Sequence, residues 1–296
     1  MFRDFPIPPG FSLIQRGKAF LLLRETYKDY LLQQGIEDLQ SFLRRNKGTI
    51  RYWTGRTPHP SVPIEGGRRI VIRFYSHGGL LQAFSKGIYL LGSRSFRELV
   101  LTEEVRSSGI ATIEPIAAIH QFVLFPFYRA SLLSLEIPEA MNLIQYFQKI
   151  GNLPSPEDLI SKRRTIRSCA LLLRRFHQAG FFHGDLQLKN ILIGEGQPFL
   201  IDFDRSYRRP MLSIKERMRN LFRLNRSAEK WKRLELAITR TDRLRFFLAY
   251  SGDDIKMREA MRRALRTYPL RSFLYRCRWT IERIMGTSYP TQPPLK

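Results

Sequence analysis

The sequence predicts an α+β protein of two lobes, a small β-rich lobe with one helix and a larger helical lobe. Three observations predict it. Residues 46–128 hold short β-branched and aromatic runs separated by Pro and Gly. Residues 129–296 carry long stretches with helical periodicity. The chain of 296 residues is long enough for one large domain or two modest ones with a real core.

Residues 1–45 read as an N-terminal extension, with a Pro-rich start and a helix near Lys18–Leu32. Strands are expected at Arg51–Thr54 and Arg69–Tyr75. Pro58, Pro60, Pro63, Gly66 and Gly67 punctuate the gap between them as turns. Ser95–Ser107 reads as a helix, with Phe96, Leu99, Val100 and Val105 near one face and Gly109 as the stop. Ile116–His120 and Gln121–Phe127 read as two further strands, and a connector follows near Phe127–Ser131. Helices are then expected at Pro138–Ile150 and Ser161–Gln178. The second has an apolar stripe of Ile166, Cys169, Ala170, Leu172, Leu173 and Phe176, closed by Gly180. Strands at Asn190–Ile193 and Pro198–Asp202 flank the turn GEGQ, and Pro210–Met285 is helical and basic.

Lys and Arg total 50 against 26 Asp and Glu, a formal charge of +24. Such an excess suits nucleic acid, an anionic membrane surface or a phosphorylated partner. The hydrophobic content of 43% excludes a disordered basic tail. Cys169 and Cys277 form no CxxC pair, which argues against a disulfide framework or zinc ribbon and for a reducing compartment. No secretory signal is visible, and no apolar run is long enough to span a bilayer. Between Arg205 and Arg245 there are 14 basic and 4 acidic residues, interleaved with apolar ones. This pattern fits a helix lying on an anionic membrane, or one packed on the protein with solvated charges.

The informative segment is Phe181–Asp204, FFHGDLQLKNILIGEGQPFLIDFD. Asp185 is followed five residues on by Asn190, and Asp202 comes twelve residues later at the end of an apolar strand. In phosphoryl transfer one Asp accepts the proton of the attacking hydroxyl. An Asn and a second Asp hold the metal ions on the nucleotide phosphates. A loop that turns back, followed by a hairpin, delivers all three side chains to one cleft. His183 is read as structural, bonding backbone near the loop, and His177 as packing at a helix end. Their spacing suits no usual zinc pattern.

This stretch resembles the protein-kinase-like fold, with HGD as in aminoglycoside phosphotransferases and atypical kinases. Together with VIRFYSHGG (71–79), FRE (96–98), LIDFDR and RNLFRLNRSAEK (219–230), it is similar to the family of Kdo kinases and lipopolysaccharide core kinases. The resemblance covers roughly residues 45–235. It implies ATP and Mg²⁺ as cofactors, Asp185 as catalytic base, and Asn190 and Asp202 as metal ligands. It places Arg73 where kinases carry a phosphate-binding Lys, with Glu98 as its helix partner; Glu103 and Glu104 are rivals for that role. Lys189 is assigned to offset charge on the transferring phosphoryl. Gly48 and Gly55 are candidates for a phosphate-binding loop, and the pair Gly78-Gly79 reads as a turn or a phosphate contact.

The implied acceptor is a lipid-linked acidic sugar, Kdo (3-deoxy-D-manno-octulosonic acid) on a lipid A precursor. The implied location is peripheral, on the cytoplasmic face of the inner membrane. A heptose kinase or an atypical protein kinase of the same superfamily is the second reading. A basic nucleic-acid-binding protein is the third, although nothing here resembles a nucleic-acid module.

Overall fold

The computed structural model describes residues 2, 5–53, 58–75, 89–90, 92–232, 236–264 and 266. The chain opens with a hairpin of β1 (Phe11–Arg16) and β2 (Ala19–Arg24). This corrects the helix expected near Lys18–Leu32, of which only the later part is helical, as α1 (Glu25–Gln33). The reason lies in burial. Leu21 and Leu23 pack on one sheet face with Leu31, Leu39 and Phe42 of α1 and α2 (Leu39–Arg45), while Leu22 packs on the other. A strand covered on both faces loses its alternation and reads as a continuous apolar run.

A meander comes next, of β3 (Arg51–Trp53), β4 (His59–Pro63) and β5 (Arg69–Phe74). β4 occupies part of the Pro-punctuated stretch expected to be turns. Pro60 lies opposite Tyr52 of the short outer strand, where a missing N–H is tolerated. Beyond it are β6 (Tyr89–Leu90) and α3 (Arg94–Ser107), whose first turn is capped by the Ser93 hydroxyl accepting from the Phe96 N–H.

The two strands expected between 116 and 127 are one, β7 (Pro115–Leu124), which turns at Phe125-Pro126 into β8 (Phe127–Leu135). The expected connector near Phe127–Ser131 is therefore part of a central strand, and the chain leaves the sheet only after Leu135. All pairing is antiparallel, in the order β1-β2-β7-β8-β5-β4-β3, with β6 pairing β8. α1 and α2 cover one face of this sheet. α3 covers the other, with Phe96 and Leu99 against Leu22, Ala118, Tyr128 and Leu132.

The second lobe is built around a long helix. After β9 (Met141–Asn142) come α4 (Leu143–Ile150) and α5 (Pro156–Gln178), each opened by a capping box. The whole predicted stripe of α5, from Ile166 to Phe176, is buried. Then follow β10 (Phe181–Phe182), the hairpin β11 (Ile191–Gly194) and β12 (Gln197–Leu200), and β13 (Tyr207–Arg208). α6 (Ile214–Lys232) and α7 (Arg240–Ser251) pack on α5, and residues 255–264 are helical. Leu221, Leu224 and Ala228 of α6 enter the same core as α5. The apolar side of this basic helix therefore faces the protein, which is the second of the two readings offered for it.

The lobes meet where the Thr112 hydroxyl donates to the Leu200 carbonyl at 2.6 Å and the Leu200 N–H donates to the Ala111 carbonyl at 3.0 Å. Gly48 lies in a 3-10 turn leading into β3. Gly55, Gly78, Gly79 and Cys277 lie outside the described residues.

Candidate active site

The loop after β10 is held by side chains of α6. Asn220 Oδ1 accepts the His183 N–H at 3.0 Å, and its Nδ2 donates to the His183 carbonyl at 2.8 Å. The Ser227 hydroxyl accepts the Leu188 N–H at 3.2 Å. His183 itself is fully buried. Its Nδ1 accepts the Asp185 N–H at 3.1 Å, which leaves Nε2 to donate to the Ile201 carbonyl at 3.0 Å. That fixes the neutral tautomer, and burial lowers the imidazole pKa in agreement. His177 on α5 extends the arrangement. Its Nε2 bonds Asn220 Oδ1 at 3.0 Å and its Nδ1 bonds the Tyr250 hydroxyl at 2.7 Å, and Arg217 joins Tyr250 to Asp254.

Gly184 shows why this loop reads HGD. A Cβ there would stand 2.4 Å from the Asp204 carbonyl oxygen and 2.7 Å from the Arg205 carbonyl carbon. The two loops approach too closely for any side chain at that position.

Asp185 is half-buried. Gln187 Nε2 and Arg223 Nε donate to its Oδ1 at 2.5 and 2.8 Å. Burial would raise this carboxyl, but the Gln187 hydrogen bond and the charges of Arg223 and Lys189 outweigh it and hold the pKa below the usual value. Lys189 is exposed on the short turn Leu188–Asn190. Asn190 is buried, with Nδ2 donating to the Asp185 carbonyl at 2.8 Å. The Ile201 N–H donates to the Asn190 carbonyl at 3.1 Å, so the residue before Asp202 is bonded directly to Asn190. Asp202 takes φ of 68°, a left-handed conformation that costs an Asp about 1 kcal/mol. Beside it, Phe203 is buried and stacks on Phe176.

The sheet lobe reaches the same place. Arg73 of β5 donates through Nη1 to Glu98 Oε1 at 2.6 Å and through Nη2 to Asp202 Oδ1 at 2.8 Å. Glu98 is buried on α3 and also accepts the Tyr75 hydroxyl. Burial pushes its carboxyl up, against the pull of Arg73. Glu103, a rival partner by sequence, is taken instead by Arg24 and Arg106. Arg94, the first residue of α3, grips both carboxylate oxygens of Asp204 and lies over the Tyr89 ring at 4.7 Å.

The donor set fits Mg²⁺. The Asn190 amide nitrogen is engaged, so its Oδ1 is the atom available to a metal. Arg73 takes Asp202 Oδ1 and leaves Oδ2. One amide and one carboxylate oxygen are hard ligands, and a Mg²⁺ held by them would take water and substrate phosphates for the rest. Among the described residues no cluster of three or more His, Cys, Asp or Glu builds a closed cage. The structure thus brings Arg73, Glu98, Asp185, Asn190 and Asp202 together, with Lys189 at the edge. Asn220, Arg223, Ser227 and Arg94 were not singled out from the sequence. The signal for the first three was their helical spacing within RNLFRLNRSAEK.

The profile of the lipopolysaccharide kinase (Kdo/WaaP) family matches residues 54–250. The chain belongs to that family. It is accordingly a phosphotransferase of lipopolysaccharide core assembly. The 3-deoxy-D-manno-octulosonic acid kinase of Vibrio cholerae is 33% identical over 195 residues, covering 64% of this chain and 77% of the relative. That of Pasteurella multocida is 31% identical over 172 residues, 55% of this chain and 67% of the relative. A solved structure described as WaaP in complex with acyl carrier protein shares the fold, with TM-score 0.55 and 20% identity. It covers 86% of this chain and 96% of its own. The matched span of this lipopolysaccharide kinase holds every site residue from Arg73 to Tyr250.

Proposed function

We propose that this kinase transfers the γ-phosphoryl group of ATP to a hydroxyl of Kdo on a lipid A precursor. The observation that carries this reading is the meeting of Asp185, Asn190 and Asp202 beside the Arg73–Glu98 pair. Asp185 is held ionised at neutral pH, as a base must be. The acceptor oxygen bonds to the γ-phosphorus, the bond from that phosphorus to the β-bridging oxygen breaks, and the hydroxyl proton passes to Asp185. Bound Mg²⁺ supplies charge neutralisation on the phosphates, with Asn190 and Asp202 as its protein ligands. Arg73, anchored by Glu98, gives a permanent cation for a phosphate oxygen. Lys189 offsets charge on the transferring phosphoryl.

A peripheral place on the cytoplasmic face of the inner membrane belongs to this reading. Among the described residues no helix is long and apolar enough to cross a membrane. The turn of β7–β8 exposes Leu124, Phe125 and Phe127 beside exposed Arg16, Lys18 and Arg129, and neither hairpin carries an acidic residue. An apolar tip with a basic flank suits an anionic lipid surface.

The test is transfer of labelled phosphate from ATP to Kdo–lipid A. Label should appear on the lipid, and Asp185→Asn should reduce the rate about 10³-fold. Label on protein instead, or a fully active Asp185→Asn enzyme, would sink the reading.

A further inference from the structure

The nearest cation to the reacting centre is not one the transfer step requires. Arg223 places Nε and Nη2 on Asp185, and both contacts fall on the same oxygen, Oδ1. Gln187 donates to Oδ1 as well. Among the described residues no hydrogen bond or ion pair falls on Oδ2, which leaves that oxygen to take the acceptor's proton. A guanidinium edge carries two parallel donors and is matched best by a carboxylate offering both oxygens side by side. Against Asp185 it finds one oxygen only. Its present partner is therefore a poorer one than a free carboxylate would be.

The setting is one-signed. Arg219, Arg223, Arg226 and Lys230 fall four, three and four residues apart, along one stripe of α6. The acids of this helix are engaged elsewhere: Glu216 by Ser213, Tyr207 and Arg209, and Glu229 by Arg243. Arg219 also lies over the Phe182 ring at 4.6 Å. An acceptor that puts its hydroxyl on Asp185 brings its neighbouring substituents to the head of this stripe.

We propose that Arg223 binds the carboxylate of the acceptor sugar and gives up Asp185 to do so. The exchange couples two events. The departure of Arg223 also takes two guanidinium donors off Oδ1 of Asp185 as the acceptor arrives. An acceptor without a carboxylate leaves the base paired. This inference rests on the reading of the acceptor as an acidic sugar. It adds which residue reads the acid and how the base responds.

The experiment compares Kdo–lipid A with the same acceptor methyl-esterified at its Kdo carboxylates, using wild-type, Arg223→Gln and Arg223→Lys enzymes. For wild type, esterification should lower kcat/KM about 100-fold, with a large share in KM. Arg223→Gln should lose about as much on the native acceptor and little more on the ester. Arg223→Lys should fall between, because it keeps the charge without the fork. An equal loss by Arg223→Gln on both acceptors would overturn the proposal and leave Arg223 a positioning residue. Equal use of acid and ester by wild type would overturn it too, with the proposed reaction intact. Transfer to neither acceptor by wild type would instead overturn the reading of the acceptor, and this inference with it.

Discussion

Asp185 sits on a loop whose backbone is fixed by neutral, buried side chains, whereas Arg73 is held by two carboxylates at a partly exposed position. On the loop side Asn220, His183 and His177 are all at most 2% exposed. Every one of their polar contacts is a short-range bond that tolerates little displacement. On the sheet side the Arg73 side chain is 25% exposed and its partner Asp202 is 26% exposed. The Arg73–Asp202 pair, exposed on both sides, is the replaceable one, whereas Arg73 stays anchored on Glu98, whose side chain is 2% exposed. The contrast matches the two tasks. On the proposed mechanism the base stays where it is, while Asp202 and Arg73 turn from each other toward metal and phosphate.

Four variants or conditions test this contrast. Asn220→Ala strips three hydrogen bonds from buried groups and should cost about 3 kcal/mol of stability in urea denaturation. A loss under about 1 kcal/mol would mean that the loop is not held by α6. Acid comes next. Burial holds His177 neutral, with its pKa lowered to about 3. Below the ordinary value of 6.5 the unfolded chain takes up a proton that the folded chain refuses, so stability falls as pH falls. The slope from this residue should be about 1.4 kcal/mol per pH unit between those limits. Unfolding free energies measured across that range should show it, and His177→Gln should flatten it.

On the sheet side, Arg73→Lys keeps the charge but cannot span Glu98 and Asp202 together. It should raise KM for ATP about tenfold, with stability changed by less than about 1 kcal/mol. A large stability loss would show that this half is as rigid as the other. Arg94→Ala should do least. It frees Asp204 from a partly exposed pair, and a cost of about 0.5–1 kcal/mol is expected in the same denaturation assay.

Legibility in the sequence divides along the same line. Asp185, Asn190 and Asp202 were legible because they lie within one short segment whose spacing reflects a loop and a hairpin. Arg73 and Glu98 were legible only through the resemblance, since they lie on different elements and Glu103 and Glu104 competed for the pairing. The α6 contacts to the loop were hidden for another reason. Asn220, Arg223 and Ser227 look like ordinary polar residues of a basic amphipathic helix, and only packing shows that they face the loop that carries Asp185. The N-terminal hairpin is hidden in the sequence because Ala19–Leu23 carries no alternation to distinguish strand from helix. Pro126 marks the true turn of β7–β8, but the aromatic run around it reads as more strand.

The contact at Gly184 has a consequence for control. Phosphorylation-switched kinases order their activation loops through arginines that grip the added phosphate. Position 184, where many kinases carry an arginine, has no room for one here, because the backbone at Asp204 and Arg205 fills the space. A sensor of covalent modification therefore has no seat at this point in the loop.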